Sequence, residues 1–407
     1  MAQPTALYAI LIFAGTYLVL ALGRLPGFRV DRTGAAIIGA TLMVAVNVLT
    51  VSEAIEAVNT DTIILLFGMM IVVANLRLSR VFSLVTEWVV RHAHRPLVLL
   101  ASIAAVSGIF SAFFVNDTMC LVLTPLVLDI TTHLRRNPVP YLLAVAMASN
   151  VGSVATMTGN PQNMLIGSFS GIHYRSFAAA LTPVALAGLF IVVGMIAAIY
   201  HREFFGAAPR VEIEPPPVRV HRALAWKSTL VSAAMIVFFF AGWPVSKVAL
   251  VAGAVLLITR RVKPERVYAE IDWSLLVLFI GLFIVVRGVE KTSLSADLFA
   301  IASGLHLERP GVMSAFAAVL SNLVSNVPAV LVFRPFIPHL PNPQHAWLTL
   351  AMSSTFAGNL TVLGSVANLI VIQRARHQIK IGFWEYARVG VPVTALTIAI
   401  GVVWLRS

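Results

Sequence analysis

Two polar, helix-breaking clusters recur in this chain, each inside sequence apolar enough for a bilayer. The first pair is Phe114-Val115-Asn116-Asp117-Thr118, then Ser149-Asn150-Val151-Gly152 running into Thr158-Gly159-Asn160-Pro161-Gln162-Asn163. The second pair is Val324-Ser325-Asn326-Val327-Pro328, then Phe356-Ala357-Gly358-Asn359 running into Leu363-Gly364-Ser365-Val366-Ala367-Asn368. Unpaired polar groups are costly in hydrocarbon unless protein surrounds them or water reaches them. Two copies of such a cluster imply a site held between two related halves, the arrangement expected of a secondary transporter.

The apolar setting excludes the competing classes. Hydrophobic residues make up 59% and charged residues 11%, a balance no soluble globular chain of this length sustains. The +12 net charge sits in short loops between spans, where it sets topology and does not bind nucleic acid. One cysteine, Cys120, rules out a disulfide framework or a thiolate metal cluster, and it reads as a packing residue. The segment from Leu7 to Leu22 lacks a basic leader and a cleavage pattern, so it reads as a retained span.

The expected fold is an all-α polytopic membrane protein of about ten transmembrane helices plus two re-entrant hairpins. Simple spans fall near 5–23, 34–50, 60–78, 179–200, 224–242, 245–262, 273–289 and 384–405. Spans near 139–171 and 345–374 are broken by the Gly/Asn/Pro clusters. Residues 97–134 and 311–340 are apolar at both ends and polar in the middle, the pattern of a hairpin that enters and returns. Segments 79–93 and 290–306 mix charge with apolar residues at helical spacing and read as interfacial. The clusters Arg24/Arg29/Arg32, Arg77/Arg80/Arg91/Arg95, Arg135/Arg136, Arg202–Lys227, Arg260–Arg266 and Arg374–Lys380 then all fall on one side, expected to be cytoplasmic. Both termini are expected to face the periplasm of a bacterial inner membrane.

The halves align in register. Asn116 matches Asn326 at an offset of 210 (326 − 116), as do Ser111/Ser321 and Pro125/Pro335. Gly159 matches Gly364 at an offset of 205 (364 − 159), as do Thr156/Thr361 and Asn163/Asn368. Leu65 to Val73 resembles Leu278 to Val286. An odd number of crossings per half makes the repeat inverted across the membrane plane. The expected division is 1–203 and 224–407 as halves, joined by a proline-rich cytoplasmic linker, 204–223.

At each hairpin tip and helix break, free N–H groups carry positive and free carbonyls negative partial charge. Joined by Asn and Ser/Thr side chains, these groups can replace the hydration shell of a small polar solute. Candidate substrate-binding residues are Asn116, Thr118, Ser149, Asn150, Thr158, Asn160 and Asn163 from the first half. Ser325, Asn326, Asn359, Thr361, Ser365 and Asn368 are their counterparts from the second. Asp117, whose repeat partner is Val327, is expected to be the only carboxylate near mid-membrane, able to take and release a proton during transport or to cap its own helix. Asp61 and Asp272 read as caps, and Asp129 as a polar anchor. Arg334 either pairs with an anionic substrate or snorkels to the outer interface. No metal site, cofactor or enzyme active site is expected.

These motifs resemble the ion transporter superfamily, within the ArsB/NhaD group. The tip Phe114-Val115-Asn116-Asp117 with Leu123-Thr124-Pro125, and Ser325-Asn326-Val327-Pro328, look like the hairpin tips of ArsB-type permeases. The break at Gly159-Asn160-Pro161-Gln162-Asn163 looks like that of the wider group, and the resemblance covers nearly the whole chain. It implies export of arsenite, antimonite or silicic acid, sodium–proton exchange, or sodium-coupled dicarboxylate uptake. The Ser-Asn-Thr tips of dicarboxylate importers are absent here. Neutral amides and hydroxyls suit an uncharged, hydroxyl-rich solute such as arsenous acid. The leading expectation is therefore proton-coupled efflux of arsenite or antimonite; the alternative is sodium- or proton-coupled symport of a dicarboxylate or oxyanion. The expected partners are the lipid bilayer, the metalloid or other small solute, H+ or Na+, and a separate ATPase subunit or a second copy in a homodimer.

Overall fold

Side-chain caps set the starts of many of the helices. The computed structural model describes residues 3–24, 27–85, 95–205, 221–259, 262–292 and 304–406. The first repeat supplies α1 (Gln3–Leu22), α2 (Arg32–Ala45), α3 (Val51–Glu56), α4 (Thr60–Ser79), α5 (Pro96–Phe113), α6 (Asn116–His133), α7 (Pro138–Ser153), α8 (Pro161–Ser170), α9 (Tyr174–Ile199) and α10 (His201–Phe205). The second supplies α11 (Arg222–Phe240), α12 (Val245–Leu257), α13 (Pro264–Tyr268), α14 (Trp273–Glu290), α15 (Pro310–Val324), α16 (Asn326–Phe333), α17 (Pro343–Ala357), α18 (Val366–Ala375) and α19 (Phe383–Arg406). Asn59 caps α4 through the Thr62 amide (2.8 Å), and Asp272 caps α14 through the Leu275 amide (3.0 Å). Asp61 is not a cap as expected. It lies in the first turn of α4, where its carboxylate accepts from Ser246 at 2.9 Å.

Seven of the described helices are long and apolar enough to cross a membrane: α1, α4, α5, α9, α11, α14 and α19. α5 has that length, yet the chain turns back at Phe114–Val115 into α6. α15 and α16 form the second hairpin, turning at Ser325. The two expected broken spans are present as α7/α8 and α17/α18, interrupted over residues 154–160 and 358–365. Most of the expected linker 204–223, parts of both interfacial segments (79–93 and 290–306), and Arg91, Arg210, Arg219, Arg260 and Arg261 lie outside the described residues.

Equivalent helices run antiparallel, which makes the repeat inverted. Arg77, at the end of α4, pairs with Glu270 just before α14. Lys291, just past the end of α14, pairs with Glu53 in α3, the short helix that leads into α4 (Nζ–Oε2 2.7 Å). The ends of α9 and α19 repeat the pattern: Tyr200 donates to Glu385 (3.4 Å) and Trp404 to the Ala180 carbonyl (2.9 Å). Lys291 and the Thr50 amide together hold the half-buried Glu53 carboxyl down to about 2. A depressed carboxyl of this kind supports folding above its ordinary range, and that support is lost as pH falls towards its folded value.

The halves also exchange partners. α2 packs on α14, and its repeat mate α12 packs on α4; α6 packs on α18, and its mate α16 on α8. Two glycines make the first exchange possible. A Cβ on Gly68 would sit 2.6 Å from the backbone carbon of Ala249, and one on Gly281 would sit 2.8 Å from that of Ala36. These positions are repeat equivalents: 281 − 68 = 249 − 36 = 213. Gly68→Val and Gly281→Val are each expected to destabilise the protein by roughly 3 kcal/mol or more through backbone overpacking. Gly194→Val, with nothing within 4 Å of its Cβ position, should melt like the parent. Equal melting temperatures for all three variants in detergent would refute this helix pairing.

Candidate functional site

The two hairpin tips have the same strained backbone. Val115 has φ 30° and Ser325 φ 78°, and they are repeat equivalents (325 − 115 = 210). Positive φ is unfavourable for both residue types, and for a β-branched valine most of all. The turn thereby lets the next helix, α6 or α16, start deep in the bundle, and the first amide of α6, that of Asn116, donates to the Gly159 carbonyl (2.9 Å).

Behind the tips, each helix break is stitched by one asparagine in the same way. Asn163 donates to the carbonyls of Ser153 (3.1 Å) and Thr156 (3.0 Å). Asn368 donates to those of Gly358 (2.7 Å) and Thr361 (3.0 Å). Every atom pair is related by the 205-residue offset (368 − 163). The carbonyls freed by unwinding are thus satisfied inside protein.

A second symmetric pair ties the halves together. Ser365 donates to Asn150 (3.1 Å), and Asn160 donates to Thr355 (3.3 Å). Asn150 is the hub of this network. Its carbonyl oxygen accepts from Asn116 (2.9 Å) and Ser365, while its amide nitrogen donates to Asn359 (2.8 Å) and Asn368 (3.0 Å). That uses the full capacity of an amide.

In front of this network lies a cavity of about 190 Å³. Both tips reach it, through Asn116 and Asp117 and through Ser325 and Asn326; both breaks reach it, through Gln162 and Ser365. The side-chain oxygens of Asn116 and Asn326 are buried and have no protein partner. Asp117 is half-buried at its wall, and it faces Asp272 and the amide of Ala367 at the start of α18. No ion-pair partner of Asp117 occurs among the described residues.

Of the expected site residues, Asn116, Asp117, Ser325, Asn326 and Ser365 line the cavity. Asn150, Asn160, Asn163, Asn359 and Asn368 form the network behind it. Ser149 is taken up by the Ala146 carbonyl and by Cys120 (2.9 Å), Thr158 by Tyr174 (3.0 Å), and Thr361 by Asn322 (3.2 Å). Thr118 lies in the first turn of α6, away from the cavity lining. Asp117 does not cap α6, whose N-cap is Val115.

Two charged cavity residues escape sequence reasoning. Arg32 and Asp272, at the starts of α2 and α14, line the mouth, so Asp117 is not the lone carboxylate expected there. Arg32 is held by the Leu20 carbonyl (3.1 Å). Their place depends on the partner exchange between α2 and α14. The only sequence signal is that both sit at capped starts of equivalent-side helices. Arg334, by contrast, is outside the cavity. Its guanidinium lies 4.3 Å from the Phe169 ring centroid and 3.9 Å from Glu290. The mouth lies at the end of the bundle bearing Arg24, Arg29 and Arg266, because α2 and α14 both begin there.

Comparison with known proteins adds a family. The sequence profile of the CitMHS family, described as citrate transporter, matches residues 9–357. An uncharacterized transporter of Mycobacterium tuberculosis is 30% identical, covering 98% of this chain and 99% of the relative. The silicon efflux transporter LSI3 of Oryza sativa subsp. japonica is 28% identical over 98% of this chain and 97% of its own. Among solved structures, the YdaH transporter of Alcanivorax borkumensis superposes with a TM-score of 0.62 at 16% identity, covering 99% and 97% of the two chains. That likeness supports the same overall fold.

Proposed function

Because the chain belongs to the CitMHS citrate transporter family, and is thus a multi-pass secondary transporter, we propose that it exports arsenite or antimonite in exchange for protons. The observation that carries this reading is the cavity's chemistry. Amide and hydroxyl side chains share its lining with apolar residues such as Leu20, Leu278 and Val327, and one guanidinium, Arg32, stands against two carboxylates, Asp117 and Asp272. A trianion such as citrate would enter against unfavourable charge, whereas arsenous acid is uncharged near neutral pH and offers several O–H groups. The side-chain oxygens of Asn116 and Asn326 are buried without a protein partner, and a small shift of either tip would offer them as acceptors for such hydroxyls. The rice relative named for silicon efflux points the same way, since silicic acid is also small, neutral and hydroxylated.

In this reading the basic end of the bundle is cytoplasmic and both termini are periplasmic. The cavity then faces inward, and solute loads from the cytoplasm as Asp117 releases its proton there. Asp117 takes up a proton again from the periplasmic side. The deciding experiment is flux into proteoliposomes holding the purified protein, with arsenite, silicic acid, succinate and citrate supplied in turn under an imposed pH gradient. Gradient-driven movement of citrate or succinate, with none of arsenite, would overturn the proposal.

A second reading, coupled anion symport, draws on Arg32 in the cavity. The two readings separate on one variant. Under metalloid export, Arg32→Gln should leave arsenite flux within about threefold, because an uncharged solute needs no cationic clamp. Under anion symport it should abolish uptake. Arg334→Gln should affect folding yield and not solute selectivity, since its partners are Glu290 and Phe169.

A further inference from the structure

A second cavity, of about 510 Å³, opens at the basic end of the bundle and shares no lining residue with the first. It lies where α9 passes into α10, beside the starts of α7 and α19, and Asn137, Tyr200, His201, Arg202, Glu203 and Arg388 line it. Nothing in the transport reading uses it.

Its charges are unevenly satisfied. The Glu203 carboxylate accepts from Tyr141 (3.3 Å) and lies 3.9 Å from Arg136. The Glu385 carboxylate, at the start of α19, accepts from Tyr200 (3.4 Å). Both local acids are therefore engaged. Arg202 and Arg388 are exposed and make no ion pair among the described residues. This leaves two guanidinium groups and the exposed His201 imidazole around one polar concavity.

The surroundings are amphipathic. Trp384, Arg388 and Val391 recur at i, i+4 and i+7, so they share one stripe of α19. Trp384 is 81% exposed and Val391 47%. The Trp384 ring stands edge-on to Phe383 with centroids 5.2 Å apart. Exposed aromatic rings at the helix end and an exposed aliphatic two turns further in place the start of α19 at a membrane–water boundary, with Arg388 between them. A free inorganic anion would use the guanidiniums alone; an amphipathic anion would use the whole stripe.

We propose that this cavity binds the phosphate headgroup of an anionic phospholipid, with Arg202 and Arg388 clamping the phosphodiester and the acyl chains lying along α19 below Trp384. The bound headgroup would join the exit of the first hairpin, at Arg136 and Asn137, to α9 and α19. It would thereby brace the hairpin that carries Asn116 and Asp117 from a distance.

The test uses the full-length protein purified in an uncharged detergent. Lipid retention is read by native mass spectrometry, and thermal melting is followed as phosphatidylglycerol, phosphatidylcholine or inorganic phosphate is titrated. Phosphatidylglycerol should bind and raise the melting temperature, whereas phosphatidylcholine and inorganic phosphate should not. Arg202→Gln with Arg388→Gln should weaken phosphatidylglycerol binding roughly 25-fold, about fivefold per cation removed. The Lys/Lys double variant should keep most of the affinity. Should the Gln/Gln protein fold poorly, Arg388→Gln alone is compared with the parent at matched lipid-free melting temperature. Unchanged phosphatidylglycerol affinity in the Gln variants, or equal stabilisation by inorganic phosphate, would overturn the proposal.

Discussion

Asp117→Asn should reduce pH-gradient-driven arsenite accumulation in everted membrane vesicles to the level of vesicles lacking the protein. The asparagine preserves the shape of the side chain and can still accept from the Ala367 amide, so the tip and its helix should remain in place. What it removes is the one cavity carboxyl that stands on a hairpin tip, where alternating exposure of the site would carry it from one side to the other. Asp272 cannot substitute, because it is fixed at the start of α14 by the Leu275 amide (3.0 Å). The neutral lining is untouched, so exchange of labelled for unlabelled arsenite, with no pH gradient, should survive in the variant. That split between lost accumulation and retained exchange is what identifies a coupling residue. A variant that still accumulates arsenite against its gradient would remove Asp117 from the mechanism.

Asn150→Ala is expected to be the most destabilising polar-to-apolar change in the protein. The side chain is buried and all of its hydrogen-bonding capacity is used, towards Asn116, Asn359, Asn368 and Ser365. Truncation strands several buried polar atoms at once, at about 1–3 kcal/mol each, so the total loss is roughly 4 kcal/mol or more once neighbours relax. Asn150→Asp should be nearly as damaging. It keeps the two accepted bonds but turns a carboxylate towards the oxygens of Asn359 and Asn368, whose own amide nitrogens are committed to the carbonyls of Met147 and Gly358. Thr118→Ala, outside this network, serves as the control and should melt close to the parent. Melting of the purified proteins, followed by tryptophan fluorescence in detergent, reads both. An Asn150→Ala protein with the stability of the control would show that the hub is dispensable.

The contrast between Asn163 and Arg32 shows how far the chain can be read without coordinates. Asn163 and Asn368 stand in repeat register within helix-breaking sequence, and a break in an apolar span frees carbonyls that must be bonded locally. Each asparagine bonds carbonyls seven and ten residues back along the chain. That is a short-range requirement, and short-range requirements are visible in sequence. The places of the two hairpin tips are legible for the same reason, whereas the positive φ of Val115 and Ser325 runs against local preference and is not. Arg32 reads equally well as a loop cation that orients the first spans. Asp272 reads as an ordinary cap, which it is. Arg334 looks like the better anion ligand, because it follows a hairpin tip by eight residues, yet Glu290 and Phe169 occupy it.

The sequence by itself determined the class, the two hairpins, the two broken helices and the inverted register, because hydropathy and helix breakers act over a few turns and the repeat offset is countable along the chain. Only the tertiary structure decided which half's helix lies beside which. The exchange of α2 and α12 between the repeats rests on backbone contacts at Gly68 and Gly281 that span more than 180 residues of chain (249 − 68 = 181). That packing, and no local preference, brings Arg32 and Asp272 to the mouth of the cavity and gives it the charge balance from which its solute is inferred.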